Sequence, residues 1–330
     1  MTTITNPIDL LAAVPFLIGY EPSNSIILVA LEKDAMSLAL RIDFPSELTE
    51  KDAGELVNRL GKVEELLMVS YIPDELLDVN RSLGPLFDAI TSADITIRES
   101  IIVVAGRWRS LICQDEQCCP IEGSPMPELS ISRVAIEEIT QGKVMPFSSL
   151  AAMEDSLCSE QDPAIANAAI STRPIDYSCD PTFEQREGAN SLLDFLQDFR
   201  AARICHDKVL VGVVLARLRD LQVRDFALGI MNDEESDLYF SAWRWLMKVA
   251  PTGFVAAPAT LFAVACYERG DGALANLALA KARQDQPKYA MVELLAKVFA
   301  SGQPPQLFKE LRAQLHPKVC QALFSGSMPA

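Results

Sequence analysis

The chain has 330 residues, of which 49% are hydrophobic and 22% charged, enough for two ordinary domains and a profile that excludes a disordered chain. Its formal net charge of −16 opposes binding to phosphate backbones, which works by Lys and Arg displacing counterions, so no nucleic-acid partner is expected. Residues 1–7 lack the basic start of a signal peptide, and the longest apolar stretches, such as residues 209–216, are too short to span a bilayer, so no membrane partner is expected either.

Asn6 reads as a helix N-cap, with Pro7 at the first helical position. Ile8, Leu11, Val14 and Ile18 then repeat at helical spacing, and Pro15 is expected to break or kink the run because it removes a backbone donor. Gly19 ends the segment, and residues 21–25 read as a turn. The β-branched run 26–31 predicts a buried strand, and residues 37–44 a second one, joined to it through Lys33 and Asp34 as a hairpin. Thr49 caps a helix whose apolar face is Ala53, Leu56, Val57, Leu60 and Val63, with Asp52 as its capping-box partner. Residues 66–72 predict a strand stopped by Pro73. The next helix buries Leu76, Leu83, Phe87 and Ile90. Extended segments at 95–97 and 101–105 follow, with Gly106 turning the chain into an extended stretch 108–113. Strands alternating with amphipathic helices predict an α/β domain, a mixed sheet with flanking helices, over residues 1–128.

Residues 129–330 predict an all-α helical domain. Helical spacing is present at 131–140, 150–157 and 183–203, while residues 158–181, rich in Pro, Ser and Asp, read as an irregular connection. From Asp207 onward two stripes stand out: Leu210, Val213, Val214, Arg217 and Leu221, then Leu238, Ala242, Trp245 and Val249. Residues 259–270 and 273–283 predict two antiparallel helices. Their small residues, with Tyr267, Gly270 and Pro287, resemble one tetratricopeptide hairpin; the plain alternative is an ordinary helical hairpin in a bundle. The segment 289–302 begins another helix, stopped by Pro304 and Pro305.

Several of these stretches resemble one family. Asp9-Leu10-Leu11-Ala12-Ala13-Val14-Pro15-Phe16-Leu17-Ile18-Gly19-Tyr20, then Pro22 and Ser25 entering a strand, looks like the opening block of domain-of-unknown-function family 4192, an actinobacterial family. Arg107-Trp108, Cys113, Cys118-Cys119-Pro120 and Glu122-Gly123 resemble its second block. Val223-Arg224-Asp225, Trp243 and Gly270-Asp271-Gly272-Ala273-Leu274-Ala275 resemble its C-terminal blocks. Members often carry a second aromatic after the Arg-Trp pair, where this chain has Arg109. The resemblance implies kinship across nearly the whole chain and brings no activity, cofactor or catalytic residue with it.

Eight cysteines are spread along the chain apart from one cluster, unlike a secreted disulfide framework, and predict a cytoplasmic protein with mostly reduced thiols. Cys113, Cys118 and Cys119 end a predicted strand and enter its loop. The plain reading is a tight loop shaped by Pro120 and Gly123. One alternative is zinc, for which a fourth ligand from Cys158, Cys179 or His206 would have to fold over. The other is a redox pair, opposed by Asp115, Glu116 and Glu122, which disfavour thiolate, and helped by Arg107 and Arg109 if these point inward.

Ser25 and Asn24, between a helix end and a strand, offer hydrogen bonds at a place where α/β folds often hold ligands, although without a glycine-rich loop for a phosphate; the plain reading is a turn that orients the first helix. His206 and His316, the two histidines, read as exposed cap positions and fit no catalytic order. Arg224 and Asp225 suggest an ion-pair position at a domain seam, each needing its own partner because neighbours on a helix diverge. The function expected is therefore a non-enzymatic factor that binds another protein or regulates it, with no cofactor. The alternative is a thiol- or metal-dependent protein using residues 107–123.

Overall fold

The computed structural model describes residues 4–32, 35–61, 63–74, 79–302 and 304–324. Lys33, Asp34 and Leu76, which the sequence places in the hairpin link and the second helix, lie outside them. Two compact units divide between Met153 and Glu154, later than the boundary expected after residue 128.

Helix α1 (Pro7–Ile18) starts as the sequence predicts, with the Asn6 side chain accepting the Asp9 amide at 2.9 Å. Pro15 lies inside it without breaking it. The helix has less than one more turn to run, and Gly19, at φ 86°, donates back to the Pro15 carbonyl at 2.8 Å. A proline close to a C-cap forfeits one hydrogen bond and leaves no long segment to redirect.

Six strands form one mixed sheet in the order β2-β1-β3-β4-β5-β6. They are β1 (Ser25–Glu32), β2 (Ala35–Asp43), β3 (Glu65–Tyr71), β4 (Thr96–Val104), β5 (Arg107–Ser110) and β6 (Ser124–Pro125). Only β3 and β4 are parallel; every other neighbouring pair is antiparallel. The two extended segments expected around 95–105 are one strand, β4. Side chains alternate along β1, so Ile26 and Leu28 pack with α2 (Glu50–Leu60) and α3 (Val79–Ser92), while Ile27, Val29 and Leu31 pack with α1. That two-sided burial explains why β1 reads as a continuous apolar run.

Residues 129–153 belong to this unit because they clasp α1. Arg133, in α4 (Arg133–Thr140), reaches the Asp9 carboxylate at 2.6 Å, and Val134 packs on Ala12 and Ala13. Phe147 bridges Tyr20, with Glu21 donating to its carbonyl at 2.8 Å. The helical pattern past residue 128 was a change of secondary structure and not of core. Helix α5 (Leu150–Asp155) follows.

The second unit is helical. Residues 158–181 are less irregular than expected: Asp162 caps α6 (Pro163–Ser171) through the amides of Ala164 and Ile165. The Asp-Pro pair is an N-cap and first-position signal hidden by the surrounding composition. Helix α7 (Thr182–Ala202) precedes α8 (Lys208–Arg217) and α9 (Leu221–Gly229), which are separate helices because the chain turns at Leu218–Asp220 and Asp220 caps the second. The predicted stripe through Leu221 therefore fails. Val211, Val214, Leu215 and Leu218 face the core, and Leu221 is 60% exposed. In α10 (Ser236–Val249) the fully buried ring is Trp243, with Trp245 half-buried against Phe195 and Phe199.

Helix α11 (Ala256–Glu268) is buried continuously from Ala256 to Cys266, which marks it as the centre of this unit. It pairs with α12 (Gly272–Asp285) as the tetratricopeptide-like hairpin, with Ala265, Ala275, Ala278 and Ala282 buried. Asp285 fastens the hairpin: its carboxylate accepts the amides of Gly253, Val255 and Ala256 at 2.6, 2.9 and 3.0 Å, serving the orphan donors that begin α11. Helices α13 (Ala290–Ala300) and α14 (Pro305–Phe324) complete the unit; α13 ends before Pro304, as the sequence predicts, and Pro305 takes the first position of α14.

Candidate functional site

The parallel pair β3–β4 ends at Tyr71 and Val104, and β1 begins beside it, Ser25 standing in register with Tyr71. Ligands in α/β folds gather outside the carboxyl ends of parallel strands, where the chain leaves the sheet and backbone and side chains diverge. A cavity of about 700 Å³ opens there. Leu11 and Pro15 of α1, Val103 of β4 and Met126 after β6 give it apolar walls. Asn24, at φ 44°, and Gly106, at φ 72°, bring backbone to its edge.

Its polar groups are unusual in two ways. Tyr71 is 6% exposed, yet its hydroxyl has no hydrogen-bond partner. Burial, and then the neighbouring charge of Glu21, push this phenol well above the usual tyrosine range, so it stays protonated. Second, the charged residues that line the cavity are Glu21, Asp74 and Glu128, and no Lys, Arg or His is among the described residues around it.

Of the residues singled out from sequence, Ser25 is fully buried at the start of β1, its hydroxyl likewise unpartnered, and its neighbours Ser23 and Asn24 line the cavity. Tyr71, Asp74 and Glu128 were missed. The signal was available in Tyr71-Ile72-Pro73-Asp74, where a strand ends at a proline, but only the parallel pairing with β4 gives that end its significance.

The β5–β6 hairpin carries the other constellation. At its open end Gly106 faces the cavity, and Met126 donates to the Gly106 carbonyl at 3.0 Å. At its closed end lie the cysteines, about 13 Å away by strand rise. Trp108 is buried in the core between α1 and the sheet. The Arg107 guanidinium points at the loop backbone, donating to the carbonyls of Glu122 at 2.8 Å and Gly123 at 2.6 Å. Arg107 therefore pins the loop, and Glu122 contributes its carbonyl. Gly123 is required, since φ is 74° and a Cβ there would meet the Trp108 carbonyl oxygen at 2.9 Å.

Local hydrogen bonds fold the thiol loop on itself. Ser110 Oγ donates to Glu99 Oε1 at 2.6 Å and accepts the amides of Ile112 and Cys113 at 3.1 and 3.0 Å. The Asp115 carbonyl accepts from Cys118 and Cys119 at 3.1 and 2.7 Å, and its side chain accepts from Gln117 at 2.9 Å. The sulfurs of Cys113, Cys118 and Cys119 consequently lie within 4.8 Å of one another, all as free thiols. Burial, opposed by a backbone hydrogen bond at Ser110 and assisted by the other two thiols, pushes Cys119 up to about 11. Cys158, Cys179 and His206 do not join the cluster.

Two other expectations change. Arg224 and Asp225 pair with each other, Nη2 to Oδ1 at 2.6 Å, because the long guanidinium arm curls back over the helix; the Arg224 guanidinium also lies 5.8 Å from the Tyr289 ring centre. Both belong to α9 in the helical unit. His316 is no exposed cap. It lies within α14, half-buried beside Phe226, with Cys320 Sγ 3.5 Å from Nε2.

Fold and sites together define a two-unit chain: a mixed-sheet unit carrying a cavity and a thiol loop, followed by a helical unit in which no described helix is long and apolar enough to cross a membrane. The chain belongs to the family described as domain of unknown function DUF4192, whose model matches residues 7–306. Neither a curated protein nor a solved structure matches it.

Proposed function

We propose that this protein is a non-enzymatic binding or regulatory factor whose N-terminal unit holds a small organic cation, an amine or guanidinium compound, in the cavity beside β3 and β4. The observation that carries the reading is Tyr71, which lines a cavity whose charged residues are all Glu and Asp and whose hydroxyl is buried and unpartnered. A buried polar group without a partner costs stability, and a ligand N–H donated to that oxygen removes the cost. Glu21 then balances the ligand's charge, and the aromatic face adds a cation–π contact. The net charge of −16 supports a cationic ligand over a nucleic acid. Eight free thiols suit a reducing, cytoplasmic setting.

The test is calorimetric titration of the full chain with spermidine and with agmatine, and with glutarate as the anionic control. Binding of a cation is expected, weakened about tenfold or more by Tyr71→Phe, in line with the strength of a hydrogen bond to a charged group. Absence of binding by both cations, or equal binding by the Tyr71→Phe, Glu21→Gln double variant, overturns it.

A second reading, in which another protein docks on the helical unit, is favoured by one observation. Leu307, Leu311 and Leu315 recur every four residues on α14 and are 46%, 62% and 39% exposed. An apolar helical stripe of this kind suits the apolar face of another protein. Leu311→Glu should abolish capture of that protein while leaving the circular dichroism unchanged; undiminished capture excludes this surface.

A further inference from the structure

Three thiols converge at the closed end of the β5–β6 hairpin, and their spacing is that of metal ligands. Zinc–sulfur bonds of about 2.3 Å at tetrahedral angles place sulfurs about 3.8 Å apart. Cys118 Sγ and Cys119 Sγ are 4.0 Å apart, and all three sulfurs fall within 4.8 Å. The convergence is built into the loop. Ser110 Oγ fixes the Cys113 amide, and the Asp115 carbonyl fixes the amides of both Cys118 and Cys119. Arg107 holds the returning strand through the Glu122 and Gly123 carbonyls, and Trp108 roots the hairpin in the core. Exposed cysteines placed at random would not have three backbones anchored to aim their side chains at one point.

We propose that Cys113, Cys118 and Cys119 bind one zinc(II) ion, with the fourth coordination position open to solvent. Each thiol loses its proton to the surrounding buffer as its sulfur forms a bond to the metal, so one zinc replaces three protons and no electron is transferred. Thiolate ligands select soft or borderline cations over magnesium or calcium. Among the described residues no His, Cys, Asp or Glu joins the three at the fourth corner. Three protein ligands with one free position is the arrangement of zinc sites that exchange a water for another ligand, whereas closed structural sites use four protein ligands. This inference is independent of the cavity reading, since it rests on a different set of residues at the other end of the hairpin.

The test uses the full chain, reduced, loaded with zinc sulfate and dialysed against buffer without chelator, with zinc and protein counted in the same sample. One zinc per chain is expected. It should fall at least tenfold in Cys113→Ser and Cys118→Ser, and stay at one in the double variant Cys158→Ser, Cys179→Ser. Because a loop variant can misfold, the wild-type protein supplies a second measurement. Zinc should shield Cys113, Cys118 and Cys119 from alkylation while Cys158 and Cys179 react at unchanged rates, as read by peptide mass spectrometry. Cobalt(II) in place of zinc should give a thiolate-to-metal charge-transfer band. A stoichiometry near zero with reactive Cys113, Cys118 and Cys119 overturns the proposal. So does metal that survives in the loop variants, or binding of copper(I) with none of zinc.

Discussion

Both units leave some buried polar atoms unpartnered, Trp243 Nε1 and Arg244 Nε in the helical one, but among the described residues the unpartnered buried hydroxyls all lie in the sheet unit. In the helical unit Arg312, 7% exposed, meets Glu268 in a two-pronged pair at 2.9 and 3.1 Å and also donates to the Met231 carbonyl. Asp285 likewise spends its carboxylate on three amides. In the sheet unit the hydroxyls of Ser25, Ser70, Tyr71 and Ser100 are buried with no partner. Paired groups hold helices in place. Of the residues with unpaired hydroxyls, Tyr71 is the one that lines the cavity. The difference separates what builds this molecule from what it can bind.

The largest expected effect falls on the paired side. Arg312→Ala leaves the Glu268 carboxylate buried without its cation and should destabilise the chain by about 3–5 kcal/mol in urea unfolding. The double change Arg312→Met, Glu268→Leu should recover most of that loss, because no charge is then stranded. If the single variant costs nothing, the pairing is not what holds α14. Next comes Asp285→Ala, which strips three amides of their acceptor and should cost about 2 kcal/mol by the same measurement. A loss confined to the α11–α12 hairpin in amide exchange would sharpen the assignment.

A smaller effect, on the sheet side, depends on pH. Burial raises the Asp9 carboxyl, but hydrogen bonds from Thr5 and Arg133 outweigh it and hold the group below its usual range. A folded value below the unfolded one means that Asp9 stabilises the chain above about pH 4 and loses that contribution as pH falls further. Asp9→Asn should therefore match wild type most closely at the acid end, with the gap widening toward neutral pH; a constant gap would exclude the ionised carboxylate as the cause. The smallest effect is at Tyr71. Removing an unpartnered hydroxyl should leave stability within about 1 kcal/mol of wild type, or raise it, even as ligand binding falls. A large loss of stability in Tyr71→Phe would show that the hydroxyl already has a partner, and the contrast between the units would collapse.

Sequence patterning carried elements such as β1 and α2, because burial on both faces writes a continuous apolar run and burial on one face writes a period. It failed where short-range chemistry overrode the period. Asp162 and Pro163 start α6 inside a stretch whose composition reads as loop, and Asp220 splits a single apparent stripe into α8 and α9. Arg224 paired with its own neighbour because a long side chain can reach back past the divergence of its Cβ. The boundary shifted for another reason: Arg133 and Phe147 tie to Asp9, Gly19 and Tyr20 across more than a hundred residues of sequence, which no local pattern encodes. At the candidate sites, the three cysteines and Ser25 were legible as residue types. Their convergence and the significance of Tyr71 depend on hydrogen bonds and strand pairing that only the fold supplies.

Pro125 in β6 has a consequence for how the molecule behaves among its own copies. β6 is the last strand on its side of the sheet, only two residues long, and one of the two is proline. A proline has no N–H to offer a strand arriving from solution, and so short a strand gives an incoming chain little to grip. The sheet is thus blunted at the side that carries the thiol loop. Replacing Pro125 with valine would give that edge an amide to donate and should raise the tendency of concentrated protein to form β-rich aggregates.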